Sequence, residues 1–168
     1  MKKTLQVVVR LGKEHNVEVF KCGESQLDTW LRTTARQHIT KGISQVYVAI
    51  DPANPDRILG FYSLNAGEVT SSEWPATVKR LPRTVSMVLI GRLARDLSMR
   101  GQGLGEVLVV DALKRIVESA EQIGIALIAV DAKDDKAAGF YSNLGFQSLP
   151  DQPRRLVMTV SKARASLT

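Results

Sequence analysis

Cysteine is almost absent: Cys22 is the only one in 168 residues, so no disulfide can form within the chain, as expected of a cytoplasmic protein. Histidine is nearly as scarce, with His15 and His38 alone. Two histidines and one cysteine are too few for a typical zinc cluster, and no resident metal is expected. No run approaches the ~20 apolar residues of a membrane-spanning helix. MKKTLQVVVR starts like a signal peptide, but Arg10 and Lys13 arrive before an apolar segment develops, so it reads as mature protein. There is no repeat, low-complexity tract or linker, and the length suits one domain over residues 1–168. Acidic residues fall short of basic ones. The net charge of +6 invites a polyanionic partner.

What the chain does have is a centre, VLIGRLARDLSMRGQGLG, from Val88 to Gly105. Val85–Ala94 is rich in β-branched and aliphatic residues and predicts a buried strand. From Gly103 to Gln122, the residues Leu104, Leu108, Ala112, Leu113, Ile116, Val117 and Ala120 recur at helical spacing. Between strand and helix lies Arg100-Gly101-Gln102-Gly103-Leu104-Gly105. Glycines at alternate positions let a ligand come close to the backbone. The helix they open aims free N–H groups and the positive end of its dipole at one spot, which suits a phosphate or pyrophosphate. No Lys-Ser or Lys-Thr follows the last glycine, which excludes a Walker A loop. G-x-G-x-G spacing also fails the dinucleotide fingerprint.

Around this centre the pattern predicts strands at Leu5–Leu11, Gln45–Ile50, Arg57–Leu64, Ile125–Val130 and Leu156–Val160, with a short extended piece at Val17–Phe20. Asp51 to Asp56 has turn composition and makes a hairpin of the second and third strands. Leu27, Trp30, Leu31, Ala35 and Ile39 share one face of a helix from Ser25 to about Ile39, with Ser25 or Glu24 as its cap and Arg32 and Arg36 as neighbours opposite. Asp134–Leu144 is a helix closed by Gly145. Asn65–Pro82 reads as a long loop with a basic stretch, Lys79, Arg80 and Arg83, and Ala163–Thr168 reads as a tail. Strand, crossover helix and parallel strand around Gly103–Gln122 form a right-handed unit.

R-x-x-G-x-G at Arg100–Gly105 resembles the pyrophosphate loop of the GNAT superfamily of acyl-CoA N-acyltransferases. A second match follows in order: Asp134-Asp135-Lys136-Ala137-Ala138-Gly139-Phe140-Tyr141-Ser142-Asn143-Leu144-Gly145-Phe146 resembles the superfamily's N-x-x-A-x-x-F-Y-x-x-x-G-F, with Asp134 where Asn is common. The resemblance implies an α/β (α+β) GNAT fold: one mixed, mostly antiparallel central sheet with a splayed parallel pair, flanked by helices. It implies acetyl-CoA as co-substrate, held by Leu93, Ala94 and Arg95, by Arg100, Gly101, Gln102, Gly103, Leu104 and Gly105, and by Asp134. Acetyl transfer to an amine needs donors for the oxyanion and a proton for the departing thiolate. Backbone N–H groups around Leu93–Arg95 serve the first need. For the second, Tyr141 resembles the general acid of many members, and a phenol with a pKa near 10 is protonated at neutral pH. Glu68, Asp96 or a water chain could be the base.

The N-terminal half narrows the resemblance. Phe20-Lys21-Cys22-Gly23-Glu24, then Leu27-Asp28-x-Trp30-Leu31, Arg36-Gln37, Val46-Tyr47-Val48, Leu59–Leu64 and Gly91-Arg92-Leu93-Ala94 are similar to the GNAT toxins of bacterial toxin–antitoxin modules. That family acetylates the α-amino group of the amino acid on a charged tRNA. Its members usually dimerise, and a small ribbon-helix-helix antitoxin, which also reaches operator DNA, neutralises them. Charged tRNA, an antitoxin of that type, a homodimer and no membrane are therefore the implied partners. Arg32, Arg36, Lys79, Arg80, Arg83 and Arg92 are the cations available to RNA phosphates. Acetylation of a small amine such as a polyamine or antibiotic, acetylation of a protein amine, and a non-catalytic acyl-CoA- and antitoxin-binding module remain alternatives.

Overall fold

The computed structural model describes residues 6–78 and 80–168, so Lys79 lies outside the described residues. In chain order the elements are β1 (Val7–Arg10), α1 (Ser25–Thr33), α2 (Ala35–Thr40), β2 (Gln45–Asp51), β3 (Asn54–Thr70), β4 (Thr84–Arg95), a 3-10 turn (Leu97–Met99), α3 (Leu104–Ala120), β5 (Leu127–Asp131), α4 (Asp135–Asn143), β6 (Gln147–Leu149), β7 (Gln152–Thr159) and α5 (Val160–Ser166). The strands form one seven-stranded sheet in the order β1-β2-β3-β4-β5-β7-β6. β1–β2, β2–β3, β5–β7 and β6–β7 are antiparallel, and β4–β5 is parallel. That mixed sheet with flanking helices is the expected fold class. Among the described residues no helix is long and apolar enough to cross a membrane.

The contacts gather into two compact units, one of residues 6–65 with Arg92–Asp111 and one of Ala66–Gly91 with Ala112–Thr168. The first has its core between α1, α2 and the β1–β3 strands. Phe20, Leu31, Val48, Ile58 and Phe61 are almost wholly buried there, and Phe20 and Phe61 meet edge to face at 5.5 Å. The second centres on Val69, Val85, Met87, Leu127, Leu149 and Val157. Each such aliphatic or aromatic side chain contributes about 1.5–3 kcal/mol by leaving water.

Several elements depart from expectation. The helix expected over Ser25–Ile39 is two helices, because Thr33 bonds back to Thr29 O at 2.7 Å and Thr34 turns out of helical geometry at φ −121°. Adjacent β-branched residues with hydroxyls that compete for the backbone favour such a break. Glu24 is the N-cap, but without a side-chain cap; instead Asp28 reaches back to Cys22 N at 3.0 Å. The loop begins only at Ser71, since β3 runs to Thr70 and its end is tied to β4 through the Thr70 and Thr84 hydroxyls at 2.8 Å. Asn65, Gly67 and Glu68 hid that extension, being poor strand formers whose pairing comes from their neighbours. Val17–Phe20, expected as a short extended piece, bends at Glu18 and Val19, with Val17 and Phe20 buried. The expected tail is α5, capped by Thr159, which accepts from Lys162 N, and anchored by buried Val160 and Ala163.

The β4–β5 ladder ends before β4 does. It runs from Met87 opposite Leu127 to Ile90 opposite Val130, while β4 continues to Arg95. Near that continuation β3 comes close: a Cβ built on Gly60 would meet Ala94 O at 3.0 Å, Leu104 Cδ2 at 3.0 Å and Leu108 Cδ1 at 3.1 Å. Gly60→Ala should therefore lower stability by about 1–3 kcal/mol, as small-to-large changes in packed sites do. A urea midpoint equal to that of the unchanged chain would refute this reading of the contact.

Candidate functional site

The turn that opens α3 is shaped by its glycines. Gly101 and Gly103 have φ of +75° and +73°, in the left-handed region, and a Cβ on either would meet nothing within 4 Å. Torsion demands glycine here, and the space beside the backbone is open. α3 starts at Leu104, so the N–H groups of Leu104, Gly105 and Glu106 have no acceptor within the helix. Leu104 and Leu108 are fully buried and fix the helix, leaving Arg100 and the two glycines at the surface. Gln102 is half-buried beside a cavity of about 180 Å³ that Arg57 and Ser98 also line. The end of β4 leads into this turn, with Ala94 buried and Leu93 and Arg95 half-buried.

Asp96 sets the path from strand to turn. Its carboxylate accepts from Lys21 N at 3.0 Å, from Ser98 N at 3.0 Å and from Ser98 Oγ at 2.6 Å, and Arg57 Nη2 lies 3.5 Å away. Backbone bonds from Asp96 N to Leu59 O and from Leu97 N to Lys21 O complete the junction. Burial pushes the carboxyl pKa up, but the bonds from Ser98 and Lys21 and the charge of Arg57 outweigh it and hold the pKa below the ordinary carboxylate value. A carboxylate so engaged is a poor proton acceptor, so Asp96 acts as a structural cap. Arg57 and Ser98 were missed in the sequence, although Asp-x-Ser after a strand is a recognisable capping pattern.

In the second unit Tyr141 sits on α4, 9% exposed, with Phe140 and Phe146 edge-on at 5.2 and 5.8 Å. Burial pushes its phenol up to about 12. Like any phenol the group is protonated at neutral pH and can donate, and burial makes it a weaker acid. Asp134 caps the same helix, accepting from Ala137 N at 2.8 Å. Gly145 closes it at φ +102°, and Lys162 Nζ binds Gly145 O at 2.8 Å.

The basic residues divide by environment. Arg32 is exposed at the end of α1, 4.0 Å from Glu18. Arg36, on α2 because of the break at Thr34, gives Nη2 to Gly12 O at 3.0 Å and His15 O at 2.7 Å. It fastens the segment before α1 and is half-buried. The Arg92 guanidinium carbon lies over Trp30, 4.1 Å from the ring centroid, and Trp30 stacks in turn on Phe61 at 6.1 Å. Burial lowers the Arg92 pKa from its usual value, without bringing a guanidinium near neutrality. Arg80 and Arg83 are exposed in the loop after β3. Cys22 is half-buried against the first core, its Sγ 3.5 Å from Glu24 O. Among the described residues no group of His, Cys, Asp and Glu could hold a metal ion.

Residues 81–156 match the family described as FR47-like protein. The tRNA-acetylating toxin of Mycobacterium tuberculosis (strain ATCC 25618 / H37Rv) is 36% identical over 157 residues, which cover 93% of this chain and 93% of that one. Among solved structures, AtaT complexed with acetyl-methionyl-tRNAfMet aligns at a TM-score of 0.88 with 25% identity, over 97% of this chain and 99% of that one. A tyrosine-to-phenylalanine variant of the AtaT toxin, bound to the C-terminus of the antitoxin AtaR and acetyl-CoA, gives a TM-score of 0.83 with 25% identity over 97% and 98%. The sheet, the parallel pair and the glycine turn opening α3 define an acetyltransferase of the GNAT type. Within that class, the chain belongs to the family of tRNA-acetylating toxins.

The Asp96 junction makes a prediction in two parts. Asp96→Asn keeps the shape but removes the charge facing Arg57 and the best acceptor for Ser98, and should cost about 1–3 kcal/mol at pH 7. Because folding lowers the Asp96 pKa, its contribution is present above the unfolded carboxylate pKa and is lost as pH falls through the folded one. Denaturant titrations of both proteins should therefore converge below about pH 4. A gap that stays constant into that range would show that the charge plays no part.

Proposed function

We propose that this chain is the toxin of a toxin–antitoxin pair, transferring acetyl from acetyl-CoA to the α-amino group of an aminoacyl-tRNA and so blocking translation. The observation that carries this reading is the 36% identity to a tRNA-acetylating toxin over 93% of the chain, which spans both units. The two units act as one acetyltransferase domain over residues 1–168. Arg100 and the N–H groups from Gly101 to Gly105, with Gln102 beside them, take the pyrophosphate of acetyl-CoA, and Asp134 contributes from the α4 cap. N–H groups of Leu93 and Arg95, beyond the last β4–β5 pair, polarise the thioester carbonyl, while the Ala94 N–H between them faces β3, as those of Arg92 and Asp96 do.

The neutral amine attacks that carbonyl, the C–S bond breaks, and the thiolate leaves. Tyr141, a phenol and so protonated at neutral pH, supplies the thiol proton. Asp96 is occupied by its donors, so the proton lost by the amine passes to Glu68, exposed on β3, or to water. Arg32, Arg80 and Arg83, all exposed, and Lys79 from the same loop meet RNA phosphates. Arg36 and Arg92 contribute from the positions that their internal contacts fix. The working form is a cytoplasmic homodimer. A ribbon-helix-helix antitoxin neutralises it and carries the pair to operator DNA.

Labelled acetyl-CoA with total charged tRNA tests the reaction. Label should appear in the RNA fraction and leave it on mild alkaline deacylation, which cuts the ester but spares the amide. Label that stays on the RNA, or none at all, would sink the acceptor assignment. Two variants separate the roles. Gly103→Glu forces a side chain into left-handed backbone and sets a negative charge where the pyrophosphate approaches, so calorimetry should find no CoA binding. Tyr141→Phe should bind CoA normally and lose about 10²–10⁴-fold in single-turnover rate; an unchanged rate would make Tyr141 a packing residue.

A further inference from the structure

The loop between β3 and β4 is fastened at one end by a residue distant in sequence. Asp151, in the turn between β6 and β7, has Oδ1 2.8 Å from Ser71 Oγ, and its Oδ2 accepts from Ser72 N at 3.2 Å and Ser72 Oγ at 3.1 Å. Those bonds, Ser71 first, lower its pKa and keep it ionised. Gln152 Nε2 adds a bond to Thr70 O at 3.0 Å, and Thr77 donates to Gln147. Within the loop is a cavity of about 380 Å³ lined by Ser71, Ser72, Trp74, Leu81 and Arg83. Trp74 and Leu81 pack by one side on the second core, so the indole is anchored while part of it stays open. Arg80 stands exposed at φ +56°, a conformation a non-glycine residue keeps only where its surroundings hold it.

An anchored indole, a guanidinium at the cavity and a second exposed cation together suit a nucleotide: rings carry base stacking, and cations meet the phosphates. We propose that the loop Ser71–Arg83 is an RNA-docking element whose cavity takes one nucleotide of the acceptor tRNA, the base against Trp74 and the phosphate at Arg83, with Asp151 as the positioning residue that holds the loop in shape. This rests on the transferase reading above and adds to it a binding site and a residue that never touches the substrate. The Asp151 charge is met by Ser71 and Ser72, which limits its repulsion of a phosphate.

The test compares Arg83→Ser, Arg80→Gly, Asp151→Ala and Asp151→Asn with the unchanged chain. Glycine at position 80 keeps the left-handed backbone while removing the charge. Each arginine variant should raise KM for aminoacyl-tRNA by about three- to tenfold and reduce the salt slope of binding by about 1. KM for acetyl-CoA and kcat should hold. Asp151→Ala should do the same and also speed tryptic cleavage after Arg80, with Asp151→Asn between. An active parent chain whose variants all keep their KM for tRNA overturns the loop's role, even if trypsin shows that it has loosened. Variants that lose antitoxin binding but not tRNA affinity overturn it in favour of a protein surface. A parent chain that leaves charged tRNA unlabelled overturns the transferase reading instead, which separates the two failures.

Discussion

One carboxylate organises the approach to the glycine turn. Asp96 draws together Lys21 from the segment before α1, Arg57 from β3 and Ser98 from the 3-10 turn. These come from three stretches far apart in sequence, and ordering each costs conformational entropy. A buried anion with its donors satisfied favours one arrangement strongly, because every alternative leaves it short of partners. The end of β4 and the start of α3 are thereby fixed relative to each other, and so is the direction in which the first helical N–H groups point.

Burial is used in opposite ways on the groups that carry charge. At Tyr141 it removes water from a phenol and raises its pKa, which disfavours the phenolate. At Arg92 it lowers a pKa that starts too high for the change to matter, so the residue stays a cation and gains the face of Trp30 instead. Arg36 shows a third outcome, a guanidinium turned inward to the carbonyls of Gly12 and His15. A basic net charge is thus no measure of the charge presented to a polyanion.

The sequence revealed the parts whose signal is local. The apolar run at Val85–Ala94, the helical spacing after Gly103 and the glycine pattern each name their own conformation, and all appear close to the expected limits. What it hid depends on partners. β3 runs on through Asn65 and Glu68 because neighbouring strands supply its bonds, and the helix at Val160–Ser166 holds because Val160 and Ala163 find a core. The left-handed glycine turn before α3 was legible from spacing. The clamp of Arg57 on Asp96 and the hold of Asp151 on Ser71 were not, since residues 39 and 80 positions apart share no pattern.

The left-handed torsions at Gly101 and Gly103 have a genetic consequence. No neighbouring atom bars a side chain there, so only the backbone angle and the charge of what approaches decide what is tolerated. Asparagine tolerates that angle best among neutral residues, yet no glycine codon becomes an asparagine codon by one base change. The single-step neighbours are Ala, Val, Ser, Cys, Arg, Trp, Asp and Glu. Most of these strain the backbone, and the one that suits it, aspartate, would put a negative charge where the proposed pyrophosphate approaches. If the turn holds the pyrophosphate as proposed, cells selected to survive this protein would find inactivating changes there within one mutation, while a silent detour needs two.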